Sequence, residues 1–120
     1  MYALTIVYTN AYLHDMIKMQ VNAFDWNKGN REKCQKHGLS QKEIEYFFQQ
    51  KEVLVTPDPK HSDDEERYLA IGRSQRQKPM FVVFTLRDVN GERLIRPISA
   101  RYMHEKEAKR YEEENAKIEK

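Results

Sequence analysis

A chain of 120 residues, 39% hydrophobic and 33% charged, holds enough apolar material for one domain with a modest core. No apolar run approaches the ~18 residues a membrane-spanning helix needs, and the single cysteine, Cys34, excludes an internal disulfide and suits a reducing cytoplasm. With 21 basic against 19 acidic residues the net charge is only +2, so any affinity for a polyanion must come from where the charges sit.

Residues 1–17 begin with a short apolar strand (Leu4, Ile6, Tyr8) and continue mixed, without the basic start and clean apolar run of a signal peptide. Two readings stay open for residues 1–20. They are an extension ahead of a native start at Met16 or Met19, not native or poorly ordered, or they hold a genuine extra strand. Residues 21–120 then form the single domain. The stretch VNAFDW, 21–26, reads as a short strand. Asn27 can cap a helix running to about His37, and Gly38 is placed to end it in a left-handed conformation. Ser40 and Glu43 form a capping box ahead of a second helix, with Ile44, Phe47 and Phe48 on one face.

Residues 51–56 read as a strand that stops at the breaker Pro57-Asp58-Pro59. An acidic loop follows at 58–66. Residues 67–73 alternate as a strand, and 80–88 and 92–101 are the clearest strands. Asn90-Gly91 between them predicts a tight hairpin turn. Residues 104–120 form a charged helix. The order predicts an α+β fold: a small antiparallel sheet with two N-terminal helices and a C-terminal helix, the helices on one face.

The modest net charge hides a basic sheet. Residues 67–101 carry eight basic residues, seven of them arginine, and two acidic ones, a local charge of +6. Arginine offers planar paired donors that match phosphate oxygens, and it stays charged at any working pH. Exposed strands also use charge simply to resist aggregation. A two-residue turn would pair Asp88 with Arg93, Leu86 with Ile95, Phe84 with Pro97 and Val82 with Ser99. One face would then collect Val82, Phe84, Leu86 and Ile95, with Ser99 and Arg101 toward the end. The other would collect Phe81, Val83, Thr85, Arg87, Arg96 and Ile98. Pro97 removes a ladder donor and predicts an edge or a bulge.

In their order and spacing, FDWNKGN at 24–30, KHGLS at 36–40, ER at 66–67, AIGR at 70–73, FVVFTLR at 81–87, RPISAR at 96–101 and the pair Glu107 and Tyr111 resemble the BrnT family of type II toxins. The resemblance covers about 24–113. It implies a fold similar to RelE-type ribonucleases and metal-independent RNA cleavage that inhibits translation, with no cofactor. It also implies a BrnA-like ribbon-helix-helix antitoxin in a two-to-two complex, with operator DNA reached only through that antitoxin. The N-terminal stretch, the long acidic loop and Pro97 depart from the family pattern.

Metal-free RNA cleavage needs a base for the ribose 2′-hydroxyl, an acid for the leaving oxygen and cations for the charged transition state. The candidates for the third role are Arg101 and Arg73, in the two pieces carried over from the family. Arg67 and Arg87 stand next, as phosphate binders. His37 titrates nearest neutral pH and is the proton-transfer candidate, unless it serves as a cation at a helix C-terminus. Glu66 is the candidate base, or an ion-pair partner. Lys36, Thr85 and Ser99 are candidate substrate contacts, and Tyr68 or Tyr102 could stack on a base. His14, His37, His61 and His104 are too scattered to suggest zinc. The competing reading is a toxin-like binding module without activity, serving as antitoxin partner or co-repressor.

Overall fold

A computed structural model describes residues 4–9, 16–21, 23–50, 53–58 and 65–118. The elements run β1 (Leu4–Thr9), β2 (Met16–Val21), β3 (Ala23–Phe24), α1 (Lys28–Gln35), α2 (Gln41–Phe48), β4 (Leu54–Pro57), β5 (Tyr68–Arg73), β6 (Pro79–Val89), β7 (Glu92–Tyr102) and α3 (Glu105–Ile118). The α+β class is as expected. The described strands form one sheet in the order β2-β1-β4-β5-β6-β7-β3. Its backbone is the antiparallel ladder β4 to β7, but β1 runs parallel to β4 and β3 parallel to β7, so the sheet is mixed. Between β2 and β3 lies a single residue, yet they sit at opposite ends of this order. The sheet therefore curls until its two edges approach. The expected acidic loop falls largely at 59–64, outside the described residues.

Both N-terminal helices start as expected. Ser40 accepts from the Glu43 N–H while the Glu43 carboxylate reaches back, and Gly38 takes φ +87 after α1. Asn90 (φ 51) and Gly91 (φ 80) make the β6–β7 turn, two successive positive φ values that suit a right-twisted hairpin. The ladder begins in the expected register, with Asp88 opposite Arg93, Leu86 opposite Ile95 and Phe84 opposite Pro97. Then it slips, so that Val83 pairs with Ser99 and Val82 with Ala100. Ile98 is the extra residue, directly after Pro97, whose missing N–H leaves that ladder position open. The expected pairing of Val82 with Ser99 is thereby corrected.

The slip decides which face the end of β7 presents. Opposed residues share a face, so Ser99 and Arg101 move to the side of Phe81, Val83, Thr85 and Arg87. The Arg101 guanidinium lies 4.3 Å over the Phe81 ring. Each face carries its own apolar cluster, and this corrects the expectation of helices on one face. On the first face Met80, Val82, Phe84, Ile95 and Ala100 meet α1 and α2 through Cys34, Ile44, Phe47 and Phe48. The Phe48 ring sits 5.2 Å from both Phe47 and Phe84 at near-perpendicular angles. On the second face a smaller cluster, Ile71, Met103 and Ala108 with Leu54, Leu69, Phe81 and Tyr111, seats α3.

Cys34 is fully buried in the larger cluster. Burial pushes its thiol up to about 11 despite the nearby Lys33 charge. At about pH 8 the folded chain should react with iodoacetamide at least about a hundredfold more slowly than the urea-unfolded chain, because only the accessible thiolate attacks. Equal rates in a mass-spectrometric time course would place Cys34 outside the core.

Candidate functional site

The hinge between β3 and α1 is held by one side chain. Asn30, 7% exposed, donates its amide to the carbonyls of Asp25 (2.9 Å) and Pro97 (2.8 Å). Its Oδ1 accepts from the Asn27 N–H at 2.7 Å, and its own N–H donates to Asn27 Oδ1 at 3.0 Å. The capping box thus uses asparagine where glutamate or glutamine is usual. It joins the start of α1 to β7 at the bulge. Asp25, whose N–H donates to the Ile95 carbonyl, reaches Arg96 at 3.3 Å.

This docking opens a cleft of about 540 Å³ between the N-terminus of α1 and the second face of the sheet. Lys28, Lys33, Arg67, Arg87 and Arg96 line it against one carboxylate, Glu65. The N–H groups of Lys28 and Gly29 precede the first intrahelical bond, from Arg31 to the Asn27 carbonyl, and add partial positive charge at the rim. Glu65 meets Arg87 loosely, at 3.7 Å, with both side chains over a third exposed. Several cations line one open channel, with Arg87 answered loosely by Glu65 and Arg96 by Asp25, and such a row suits a chain of phosphates better than a lone acid.

Sequence reasoning picked out two of these residues, Arg67 and Arg87. It missed Lys28, Lys33 and Glu65, which reach the cleft only through the docking of α1 and the path of the segment before β5. Arg96 had a signal, since it was expected on the face of Arg87. Thr85 lies beneath the site, 2% exposed, and donates to the Glu66 carbonyl at 2.7 Å, which ties β6 to the segment entering β5. The Glu66 carboxylate accepts from the Tyr68 hydroxyl at 2.9 Å. Lys36 and His37 are exposed at the C-terminal end of α1 and do not line the cleft.

Arg73 and Arg101 stand apart from the cleft as well, at the far end of the same face. Arg73 donates to Glu105 (3.1 and 3.2 Å), to Glu112 (3.1 and 3.2 Å) and to the Gln77 carbonyl (3.0 Å). Arg101 meets Glu107 at 3.4 Å. The bond to Glu105 is the main cause that pushes the Arg73 guanidinium above its ordinary value, and it holds the Glu105 carboxyl below its own. Burial first, then the 2.7 Å bond to Glu43, raises the Tyr102 phenol. Ser99 lies between the two regions, on the same face. Among the described residues no three His, Cys, Asp or Glu side chains group closely enough to hold a metal ion, and no helix is long and apolar enough to cross a membrane.

With this geometry in place, the comparison with known families is decisive. The family model described as "Ribonuclease toxin, BrnT, of type II toxin-antitoxin system" matches residues 24–107. The chain belongs to the BrnT family. It is accordingly a ribonuclease toxin of a type II toxin–antitoxin system, and an antitoxin protein is its partner. No individually curated protein matches it. The matched span of this BrnT chain begins at Phe24, in β3, and so takes in the Asn30 bracket, every residue lining the cleft and the first residues of α3.

Two outcomes follow from the contacts. Asn30→Ala leaves the Asp25 and Pro97 carbonyls without their donor, so urea unfolding should show a loss of about 2 kcal/mol, with α1 no longer fixed at the bulge. A loss within experimental error would mean that α1 docks without Asn30. Glu105 has a depressed folded value, so its contribution is present above the ordinary glutamate range, about 4.3. It is lost as pH falls through the lower folded value. Glu105→Gln should therefore lower the urea midpoint at pH ~7, and its deficit against the parent chain should shrink as pH falls through the folded value.

Proposed function

We propose that this BrnT chain is an endoribonuclease that cuts RNA without a metal and binds its backbone in the basic cleft. The supporting observation is five cations lining one channel, where Glu65 meets Arg87 and Asp25 meets Arg96. Arg67 and Arg87, with Lys28, Lys33 and Arg96, hold successive phosphates. In the cleavage step a base takes the proton of a 2′-hydroxyl, its oxygen attacks the adjacent phosphorus, and the 5′-oxygen leaves with a proton from an acid. Cations balance the charge that gathers on the phosphorus oxygens. The base is a carboxylate of the segment entering β5: Glu66, beside Arg67, or Glu65, in the cleft itself.

The cellular reading follows from the family. Residues 21–120 form the toxin domain, which acts in the cytoplasm and stops translation by cutting RNA. A BrnA-like ribbon-helix-helix antitoxin neutralises it in a two-to-two complex and carries it to operator DNA. A second reading is favoured by one observation: His37, Arg73 and Arg101 do not converge with the cleft. On that reading the cleft binds RNA without cutting, and the chain serves as a partner or co-repressor.

Cleavage of a labelled single-stranded RNA in excess EDTA separates the two. The parent chain should cut, and Arg67→Ala or Arg87→Ala should each lower kcat/KM by at least about tenfold, as expected for loss of a charge-stabilising donor. RNA that is bound but left intact, with and without ribosomes, would establish the binding module. Cutting that needs neither arginine would move the site out of the cleft.

A further inference from the structure

Two clusters of arginine occupy opposite ends of one sheet face. At the hairpin end Arg67, Arg87 and Arg96 line the cleft. At the other end lie Arg73, the last residue of β5, and Arg101, opposite Phe81. Arg73 lies six positions beyond Arg67, the residue directly before β5, about 20 Å at strand rise. Between them on the same face run Leu69, Ile71, Val83 and Ser99, a strip with no charge. A single strand lying across it would place phosphates at both ends, with about six nucleotides between at the rise of a stacked strand.

The far end is covered. Carboxylates of α3 take the positions that phosphates would occupy: Glu105 and Glu112, two helical turns apart, grip Arg73 from both sides, and Glu107 takes Arg101. Part of the hold of α3 is electrostatic. Among its described side chains only Ala108 is buried, and Tyr111 is half-buried. Its three pairs are partly exposed, with the glutamates 58%, 50% and 34% open. Pairs of this kind are weak and are screened by salt. Beneath them the Arg101 guanidinium already sits over the Phe81 ring, 4.3 Å from its centroid, a contact that does not require Glu107.

We propose that Arg73 and Arg101 form a second phosphate-binding station for the same RNA strand, closed in the free chain by the α3 carboxylates Glu105, Glu107 and Glu112. This rests on the reading that the cleft binds RNA. The α3 glutamates act as internal phosphate mimics, so a strand long enough to reach from the cleft competes with the helix for the two arginines. Short strands fill the cleft alone.

The test is binding of a 2′-O-methyl RNA of about twelve nucleotides, which cannot be cut through its 2′-oxygen, followed by fluorescence anisotropy over a salt series. Replacing all three glutamates (Glu105→Gln, Glu107→Gln, Glu112→Gln) should tighten binding at least about fivefold. It should also steepen the logarithmic salt slope by about 1.4, two phosphates at ~0.7 each. A charge-matched control, Asp88→Asn with Glu92→Gln and Glu113→Gln, should gain less in affinity and keep the parent slope. Adding Arg73→Ala and Arg101→Ala to the first variant should remove its gain. Should that variant fail to fold, Glu112→Gln alone frees one side of Arg73 and should tighten binding about twofold, an effect lost on adding Arg73→Ala. A gain no larger than the control's, or one that survives without the arginines, overturns the second station. Binding that depends on Arg67 and Arg87 but ignores every α3 variant overturns the station and keeps the cleft. Binding indifferent to Arg67 and Arg87 overturns the cleft itself.

Discussion

The placement of the site depends on an amide and a missing one. Pro97 has no N–H to give the ladder, and β7 bulges at Ile98 directly after it. The Pro97 carbonyl is left to accept from Asn30. That single bond lets α1 dock across the edge of the sheet with its N-terminus over the second face. The same bulge turns Ser99 and Arg101 onto that face. Without the extra residue, Arg101 would lie under α1 and α2 among Phe47, Phe48 and Phe84, a place that would bury an unpaired charge at great cost. One irregularity therefore keeps the first face apolar and gathers the arginines on the second.

How much of this was legible in the sequence follows from range. Local rules succeeded locally: the Ser40 cap, Gly38, the Asn90-Gly91 turn and the first three cross-strand pairs depend on residues a few positions apart. Pro97 announced an edge or a bulge. What the sequence could not say was on which side of Pro97 the extra residue falls, and a one-residue slip exchanges the two faces. The parallel pairing of β3 with β7 was hidden for a similar reason. Ala23 and Phe24 meet Leu94 and Ile95 across some seventy residues of chain, and nothing in a two-residue strand predicts that partner. The site was partly visible because arginine content is a local property. The lysines of α1 were invisible because their role depends on the Asn30 bracket.

The charges divide into two kinds. Arg73, Arg93 and Arg101 are matched to carboxylates within their own neighbourhood. The acidic segment 58–66, with five carboxylates and one lysine, offsets the basic sheet and brings the chain to +2. The pairs of Arg73 and Arg101 also help to fasten α3, beside the apolar cluster around Ala108. Pairing of this kind is what a folded surface ordinarily does with its charge, and where it is partly exposed it is weak enough to be exchanged.

The cleft departs from that pattern in ways the fold does not need. Helices favour acidic residues in their first turn, yet α1 has none there and begins with Lys28. Lys33 follows on the same side, and both face three arginines across open solvent. Like charges brought together in this way oppose folding through their repulsion. A glutamate at position 28 would suit the helix better and would relieve the cluster. Local choices that run against stability mark functional sites more often than structural ones. Glu65 and Asp25 answer Arg87 and Arg96, and on the proposed reading an RNA backbone would bring further negative charge along the channel to the α1 lysines.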